Sequence, residues 1–391
     1  MYIYCNQTRF TFAHLHHVRH FRPEHYISLW GEYAAGVLVI AFLVFLSLLY
    51  LKGHTKPFGE EFQLERLHSF LEKWDSDTDS GLAFLRDKRF FWYQEEDSDQ
   101  VVFQFAQERN KIVVMSEPIG NPDAIDQAIV ACLAQAKEAN LEVLFYEVGQ
   151  ETTLTLHEHG YEFMKFGERA MVDLVQFNID GKHGRKYRAV IHRLEKQGYA
   201  FQVLQPLFDD KMLTDLKKIS DSWLQRRQEK GFSLGFFAED YLQEAPLALV
   251  TNADKELVAF ANTMPGRHDK VGSVDLMRYD RENAPDGVMD YLFVNLFLHF
   301  QAQGKHSFDL GMAPLANVGQ LESSFLQERI AFFIYNFTNR FYSFSGLRAY
   351  KSKFNPSWQA KYVAYPKRSW LVINMLSIYQ IDNRQVEMEK E

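Results

Sequence analysis

One segment near the N-terminus constrains the fold of this chain more than any other. The run from Ala34 to Leu51 reads AAGVLVIAFLVFLSLLYL and contains no charged residue. At about 1.5 Å per residue, a helix over this run nearly crosses the hydrocarbon core of a bilayer, and Trp30 and Tyr33 can lie at its interface. The sequence predicts a transmembrane helix over residues 31–52, after a juxtamembrane segment at residues 1–30. A cleaved signal peptide and a buried core helix are the alternatives.

The residues around this run do not fix its orientation. Basic side chains lie both before and after it, so the positive-inside rule does not choose between the two directions. The first 30 residues are rich in histidine, and His16 and His20 share one helical face. No cysteine or carboxylate partner lies at ligand spacing, so we expect a polar juxtamembrane strip and no metal site.

Cysteine usage and charge indicate where the rest of the chain lies. The two cysteines, Cys5 and Cys132, form neither a disulfide framework nor a zinc-binding spacing, which is typical of a reducing compartment. We therefore expect a single-pass protein of the inner cell membrane whose folded domains face the cytoplasm. The net charge of −8 argues against a general nucleic-acid coat protein, which needs a broad basic surface.

Helices and strands follow one another in an order that occurs twice. After a polar linker at residues 53–61, residues 62–180 read as a helix, paired strands, a strand that turns into a helix, and a further strand. Residues 181–368 repeat this order, and residues 369–391 are expected to form a C-terminal tail. The pattern predicts an α/β fold with mixed sheets in two tandem domains.

The strand-turn-helix unit of each half resembles the acyltransferase fold of the GNAT superfamily. The two units are strand Lys111–Met115 before helix Asp123–Asn140, and strand Gly272–Arg278 before helix Val288–Gly304. Superfamily members that use acetyl-CoA hold its pyrophosphate on a glycine-rich loop at the helix start. The corresponding loop here, residues 281–287 (RENAPDG), has one glycine, one proline and two acids. The resemblance implies two tandem GNAT-like acyltransferase domains, and the loop argues against acetyl-CoA.

An acidic and a basic side chain lie three residues apart near the end of a predicted strand, in the sequence DLMR. On a regular strand Asp275 and Arg278 point to opposite faces, unless a bulge intervenes. Together they could bind an α-amino group and a phosphate or ester carbonyl. A structural ion pair is the alternative, and the residue types alone do not decide between the two.

Cations are densest in a predicted helix near the C-terminus. Arg348, Lys351 and Lys353 lie within six positions there, just before an Asn-Pro sequence that ends the helix. Cations at a helix C-terminus are favourable without any ligand, which is the simpler interpretation. That effect explains one lysine better than a cluster, so we predict that an anionic substrate binds here.

A second basic stretch lies at residues 185–196 (RKYRAVIHRLEK). Its predicted helix carries Arg185, Arg188 and Arg193 on an otherwise acidic protein. Such a patch suits the backbone of an RNA or the headgroups of phospholipids, and a solvated helix face is the alternative.

Five stretches together resemble the C-terminal synthase region of phosphatidylglycerol lysyltransferases, the multiple peptide resistance factor family. They are GLAFLRDKRFFWY (81–93), RKYRAVIHRLEKQGY (185–199), SVDLMRYDRENAPDGVMDYLF (273–293), DLGMAPLANVG (309–319) and FYSFSGLRAYKSKFNPSWQAKYVAYP (341–366). The resemblance covers about residues 62–368. It implies catalytic roles for Asp275, Arg278 and Lys353 in the second domain. It implies substrate-binding roles for Arg348, Lys351 and Glu322.

The resemblance also implies a reaction. An aminoacyl group, with lysyl favoured, would pass from aminoacyl-tRNA to phosphatidylglycerol, changing the charge of the membrane lipid and giving resistance to cationic antimicrobial peptides. The donor ester is already activated, so no metal, ATP or cofactor is expected. A peptidoglycan-type, tRNA-dependent aminoacyltransferase and a non-catalytic lipid-binding protein of the same fold are the alternatives.

Some properties stay open at this point. Transfer of lysine would need an acidic binding pocket, and transfer of alanine a small one. The sequence does not place the residues of this pocket. Full-length family members carry a many-helix flippase region ahead of the synthase, whereas a single predicted span precedes it here. Lipid flipping is therefore not expected of this chain, and the oligomeric state is undetermined.

Overall fold

The described part of the chain divides into two units, one before and one after residue 55. The computed structural model describes residues 36–43, 58–182, 184–225, 227–315, 318 and 344–384. Residues 36–43, inside the predicted membrane span, are helical. The remainder of the segments predicted at 1–30 and 31–52, together with Glu322, lies outside these ranges. Within them, no helix is both long and apolar enough to cross a membrane.

The second unit is built on one mixed sheet, to which its described residues contribute twelve strands. The strands are β1 (Arg89–Glu95), β2 (Ser98–Glu108), β3 (Lys111–Met115), β4 (Ile119–Gly120), β5 (Glu142–Val148), β6 (Tyr161–Asp173), β7 (Ala200–Leu204), β8 (Leu247–Thr251), β9 (Leu257–Thr263), β10 (Val271–Tyr279), β11 (Ser307–Pro314) and β12 (Ser357–Pro366). Their order in the sheet is β1-β2-β3-β5-β12-β6-β11-β10-β9-β8-β7, and β4 pairs with β2.

Helices cover both faces of this sheet. They are α1 (Leu64–Lys73), α2 (Ile125–Glu138), α3 (Gln150–Glu158), α4 (Arg185–Lys196), α5 (Asp210–Leu224), α6 (Glu239–Leu242), α7 (Val288–Ala302), α8 (Phe344–Ser352) and α9 (Leu371–Asp382). Two 3₁₀ helices lie at Thr78–Leu85 and Pro122–Ala124. The predicted α/β class with a mixed sheet is thereby confirmed.

Each half contains one parallel pair of strands joined by a helix. In the first half α2 connects β3 to β5, and in the second half α7 connects β10 to β11. All five residues of β3 are buried, as expected for a strand covered by helices on both faces. The neighbouring pairs are antiparallel, so each half has the predicted combination of hairpin strands and a crossover.

The two halves of the sequence share the centre of the sheet. The last strand, β12, lies between β5 and β6 and pairs antiparallel with both. The other edge of β6 pairs with β11, also antiparallel. Strands from residues 62–180 and 181–368 therefore alternate at this point, and the chain position of a strand does not tell which neighbours it has.

Two segments that looked unstructured in the sequence belong to the folded unit. Phe58, in the predicted linker, is buried against Phe91 and Phe105, at ring-centroid distances of 5.5 and 5.3 Å. Residues 369–391, predicted to be a tail, contain α9, whose inner face is buried in the core against β2 and β3. Both segments are ordered because their apolar side chains complete a core that no local pattern reveals.

Candidate functional site

The sheet opens at its only described parallel pair in the second half. β10 and β11 pair from Val271 to Ser273 and from Ser307 to Asp309, and beyond these residues β10 continues with β9 while β11 continues with β6. The 3₁₀ helix Thr78–Leu85 lies at this fork, where the Thr78 hydroxyl donates to Asp309 Oδ2 at 2.6 Å. The fork exposes strand residues to side chains from the first half, and Asp275 follows it directly.

Asp275 lies where the pairing of β10 with β9 is irregular, between Val274 and Met277. Its carboxylate accepts hydrogen bonds from the Tyr241 hydroxyl at 2.9 Å and from the backbone N–H of Gly235 at 3.1 Å. Burial raises the pKa of Asp275 to about 6, although both hydrogen bonds favour the ionised form. Among the described residues Asp275 makes no salt bridge: its direct contacts are neutral donors, and the charges of Lys88 and Arg278 favour its ionised form from farther away.

Arg278 does not pair with Asp275. Its two terminal nitrogens donate to the Glu229 carboxylate at 2.8 and 2.7 Å, one of them also donates to Ser220, and the guanidinium lies 5.3 Å from the Trp223 ring centroid. The residue is 2% exposed. The mutual pair suggested by the DLMR sequence is therefore replaced by a bidentate ion pair with Glu229, because the irregularity in β10 and the chain after α5 bring a different carboxylate to the arginine.

The loop from Glu229 to Phe237, here called the carboxylate-bound loop, is held by four acidic side chains. Asp275 accepts from Gly235, and Glu229 accepts from the backbone N–H of Phe237 at 3.2 Å. Asp87 accepts from the backbone N–H of Phe232 at 2.6 Å, and Asp382 accepts from the Ser233 hydroxyl at 2.9 Å. Burial raises the pKa of Asp382, at the end of α9, to about 6. The loop thus joins β10, α9 and the first half through carboxylates.

A dense ion network lies on the other side of the fork. Arg169 of β6 donates to both oxygens of Asp77 at 2.8 and 2.7 Å, donates to Asp79, and has Nε 3.5 Å from Asp309. Burial opposes the ionised state of Asp77, but Arg169 and Lys361 outweigh it and lower the pKa of Asp77 below its usual value. We call Arg169, Asp77, Asp79, Asp309 and Lys361 the junction network.

The predicted cations of α8 lie near this network. Lys351 is 6% exposed and donates to the Met312 carbonyl at 2.8 Å, and burial lowers the pKa of its amine to about 8. Arg348 donates to Glu168 at 2.7 Å and stacks 4.2 Å from the Trp358 ring centroid. Glu147, also buried, has a pKa raised to about 8 by burial and by the charge of Asp79.

Lys353 lies in a different place from Asp275 and Arg278. Its amine is 3.3 Å from Asp290 of α7, and its backbone carbonyl accepts hydrogen bonds from Lys186 and from the Tyr187 hydroxyl of α4. The structure therefore brings Lys353 to the basic helix, and among the described residues it shares no contact partner with the two residues of β10.

The basic helix α4 turns most of its charge to solvent. Leu194 is its buried anchor, and α4 packs on α7. Arg185 is exposed, Arg188 donates to the carbonyls of Ile179 and Gly181, and Arg193 donates to the Asp286 carbonyl at 2.5 Å. The three predicted arginines thus share one helix. Lys353, the residue after α8, lies against the same helix. No group of three or more potential metal ligands occurs among the residues described.

Comparison with known proteins places this arrangement in a family. Residues 68–365 match the model of phosphatidylglycerol lysyltransferase, C-terminal. The chain belongs to this family. It is 42% identical over 347 residues to phosphatidylglycerol lysyltransferase of Bacillus subtilis (strain 168), covering 89% of this chain and 40% of that protein. The chain spans about 40% of the length of the curated relatives it matches.

Solved structures agree with the assignment to the phosphatidylglycerol lysyltransferase family. L-PGS from Bacillus licheniformis superposes with a TM-score of 0.75 and 41% identity, covering 84% of this chain and all of that chain. FemX superposes with a TM-score of 0.51 at 11% identity, covering 82% of this chain and 98% of that chain, which shows a shared fold alone.

The sequence analysis did not predict several of the residues that shape this site. Arg169 and Asp309 lie inside strands, and Asp77, Asp79 and Tyr241 lie in short segments with no motif. Charged residues within otherwise apolar strands, as in GERAMVDL for Arg169, are the one local signal that could have pointed to them.

Proposed function

We propose that this chain transfers a lysyl group from lysyl-tRNA to phosphatidylglycerol. Membership of the lysyltransferase family supports the proposal, and one structural observation carries it. Asp275 is a carboxylate in a low-dielectric site that accepts from Tyr241 and Gly235 and has no salt bridge among the described residues. A lysyl ester brings ammonium groups, and a carboxylate whose direct contacts are neutral donors is suited to receive one.

The reaction is an exchange of esters. A glycerol hydroxyl of the lipid attacks the aminoacyl carbonyl, the bond from that carbonyl to the ribose oxygen of tRNA breaks, and the lipid's hydroxyl proton passes to the ribose oxygen. Because the donor ester is already activated, positioning and charge stabilisation suffice, and we propose that no acetyl-CoA or other cofactor takes part. Asp275 would bind the amino group or hold the proton.

The remaining predicted residues receive more specific roles in this proposal. Arg278, held by Glu229, would keep the carboxylate-bound loop against Asp275. Lys353, with the arginines of α4, would bind phosphates of tRNA or of the lipid headgroup, supported by their common location. Arg348, Lys351 and Glu322 stay predicted substrate-binding residues.

We also propose the setting in which the reaction occurs. The apolar run at residues 31–52 would cross the inner membrane once, with the two halves of the sheet acting as tandem GNAT-like domains on the cytoplasmic side. The crossover helix in each half and the family's lipid substrate support this arrangement.

Mass spectrometry of lipids from cells expressing the full chain tests the activity. We expect lysyl-phosphatidylglycerol with the unaltered chain and with Asp280→Asn, and about 100-fold less with Asp275→Asn. Asp280 is a matched control because it follows the same strand and hydrogen-bonds Ser222 and Asn283, away from the carboxylate-bound loop. Aminoacylated cell-wall fragments without modified lipid would instead identify the peptidoglycan-type reaction.

A further inference from the structure

Helix α9 presents apolar side chains to solvent as well as to the core. Its inner face, including Met375, Ile378 and Ile381, is buried. On the outer side Trp370 is 75% exposed, Ile373 51% and Leu376 42%. A surface helix normally carries polar residues on its outer face, so an exposed apolar face with an aromatic residue marks an interaction site.

The apolar surface is confined to one end of the helix. Trp370, Val372, Ile373 and Leu376 belong to the first two turns, whereas the exposed residue of the last full turn is Gln380. The C-terminal end is instead fixed to the protein, because Asp382 accepts from Ser233 and Arg384 pairs with Glu108. The unpaired surface is therefore the N-terminal half of α9 and the residues before it.

Two exposed cations precede this apolar surface. Lys367 and Arg368 lie in the turn between β12 and α9. Basic side chains beside an exposed tryptophan and two or three aliphatic residues form the pattern of an interfacial helix. The cations meet anionic headgroups, tryptophan lies at the boundary, and the aliphatic side chains enter the acyl region.

We propose that residues 367–376, here called the α9 patch, dock on the surface of an anionic phospholipid bilayer. The charge of the patch favours this partner: Lys367 and Arg368 are complementary to anionic headgroups, and a tryptophan follows them at the helix start. A protein partner would not require this combination. The choice of phosphatidylglycerol as the anionic lipid rests on the proposed function.

Docking in this orientation connects the bilayer to the candidate site. α9 is twelve residues long, so its ends are about 18 Å apart. Its far end holds the carboxylate-bound loop through Asp382, and the same loop contacts Asp275 through Gly235. The helix would thus set the height of the site above the lipid surface that it contacts.

Depth-dependent quenching in reconstituted full-length chain tests the proposal. A bimane probe is attached through Leu376→Cys or, as a matched control, Leu154→Cys, each in a chain carrying Cys5→Ser. Leu154 is 55% exposed on α3, and the remaining Cys132 is buried. In phosphatidylglycerol vesicles containing nitroxide-labelled lipid, we expect the probe at 376 to be quenched several-fold more than the probe at 154.

Charge reversal checks the choice of partner. Lys367→Glu combined with Arg368→Glu should remove the extra quenching at 376, whereas Lys137→Glu, on the exposed side of α2, should leave it unchanged. Equal quenching at 376 and 154 overturns the proposal. Protection of the 376 probe that rises with protein concentration and not with lipid also overturns it, because a second copy of the chain would then cover the patch.

Activity measurements separate this inference from the proposed function. The double variant Ile373→Ser, Leu376→Ser should transfer lysyl to vesicle phosphatidylglycerol roughly tenfold more slowly, because two aliphatic side chains no longer enter the lipid. On phosphatidylglycerol in detergent micelles its rate should equal that of the unaltered chain. If the unaltered chain transfers lysyl to neither form, the proposed function fails, while the quenching ratio still decides whether the patch docks.

Discussion

The two sides of the sheet fork differ in how their charged side chains are paired. In the junction network, Arg169 is met by Asp77, Asp79 and Asp309, and Lys361 adds a second cation 3.1 Å from Glu117. Across the fork, the described contacts of Asp275 are neutral donors, because Arg278 is engaged by Glu229 and Lys88 by Asp87. One side pairs its carboxylates with cations, and the other has a carboxylate that makes no salt bridge with any described residue.

This difference separates structure from function. The junction network pairs cations with carboxylates from separate parts of the chain, so it can hold those parts together, although Arg169 Nε has no hydrogen-bond partner among the described residues. A half-buried carboxylate whose direct contacts are a hydroxyl and an N–H keeps its capacity to bind a cation. The partners of the charged residues, which only the structure shows, distinguish the two sides.

Removing Arg169, the central cation of the junction network, should have the largest effect. Arg169→Met removes the cation shared by buried Asp309 and half-buried Asp77 and Asp79, so we expect unfolding to become easier by about 3–5 kcal/mol. Urea denaturation of the full chain measures this. Arg185→Met, at an exposed position of α4, is the control and should change stability by less than about 0.5 kcal/mol. Equal stability of both variants would mean that the junction network is not structural.

Removing the charge of Asp275 should affect activity more than stability. Asp275→Asn keeps the size of the side chain and removes the site for the ammonium group, so we expect lysyl transfer to fall about 100-fold. Initial rates with charged tRNA and lipid, together with thermal unfolding, measure both quantities. An Asp275→Asn chain with undiminished transfer would end the assignment of Asp275.

Gly235 provides a test that leaves the carboxylate itself in place. A Cβ at position 235 would overlap the Asp275 carboxylate, so Gly235→Ala must move the carboxylate-bound loop. We expect a loss of about 1–3 kcal/mol in stability, as for other overpacked positions, with reduced transfer. Gly181→Ala, where a Cβ meets no atom within 4 Å, controls for added bulk although its φ of +63° makes it costly too. Preserved transfer in Gly235→Ala would show that the loop does not position Asp275.

Acidity should change the contributions of Asp275 and Asp77 in opposite directions. The pKa of Asp275 and of Asp382 is raised from 3.8 to about 6, so both stabilise the fold below about pH 4 and lose this contribution as the pH rises through 6. Asp77, whose pKa is lowered, contributes above its ordinary pKa and loses that contribution in stronger acid. Between pH 4 and 6, Asp275→Asn should therefore lose less stability with rising pH than the unaltered chain.

The same titration should appear in catalysis. Binding of an ammonium group needs ionised Asp275, so lysyl transfer should decline as the pH falls below about 6. In Asp382→Asn this decline should persist. A pH profile that stays flat from 5 to 7 would argue against ionised Asp275 in the reaction.

The smallest effect is expected at the basic helix. Arg185→Ala removes one exposed cation from α4, so binding of tRNA should weaken about two- to fivefold, with a shallower dependence on salt. Titrations at two salt concentrations measure this, and Lys137→Ala on α2 serves as control. Identical salt dependence in both variants would identify α4 as an ordinary solvated face.

The elements themselves were largely predictable. The period-2 and period-3.6 patterns placed β3, α2, α7 and most other elements within a few residues of their observed ends, because those patterns reflect which face of an element is buried. The basic face of α4 was also predictable, since exposed charge on an amphipathic helix is a local property.

Partners of the site residues were not predictable. Arg278 was expected beside Asp275, which is three residues away, and it pairs with Glu229, which is 49 residues away. Lys353 was expected with the residues of β10 and contacts α4 and α7. The catalytic roles of all three stay predictions.

The sequence by itself determined the α/β class, the repeated order of elements, the family and the residues with the chemistry to act, because these depend on local patterning and residue type. Only the tertiary structure decided that β12 lies between β5 and β6, that Arg169 meets three carboxylates, and that Asp275 forms no salt bridge with any described residue. The physical reason is that buried charges are paired across strands from distant parts of the chain, and no sequence spacing records which strands become neighbours.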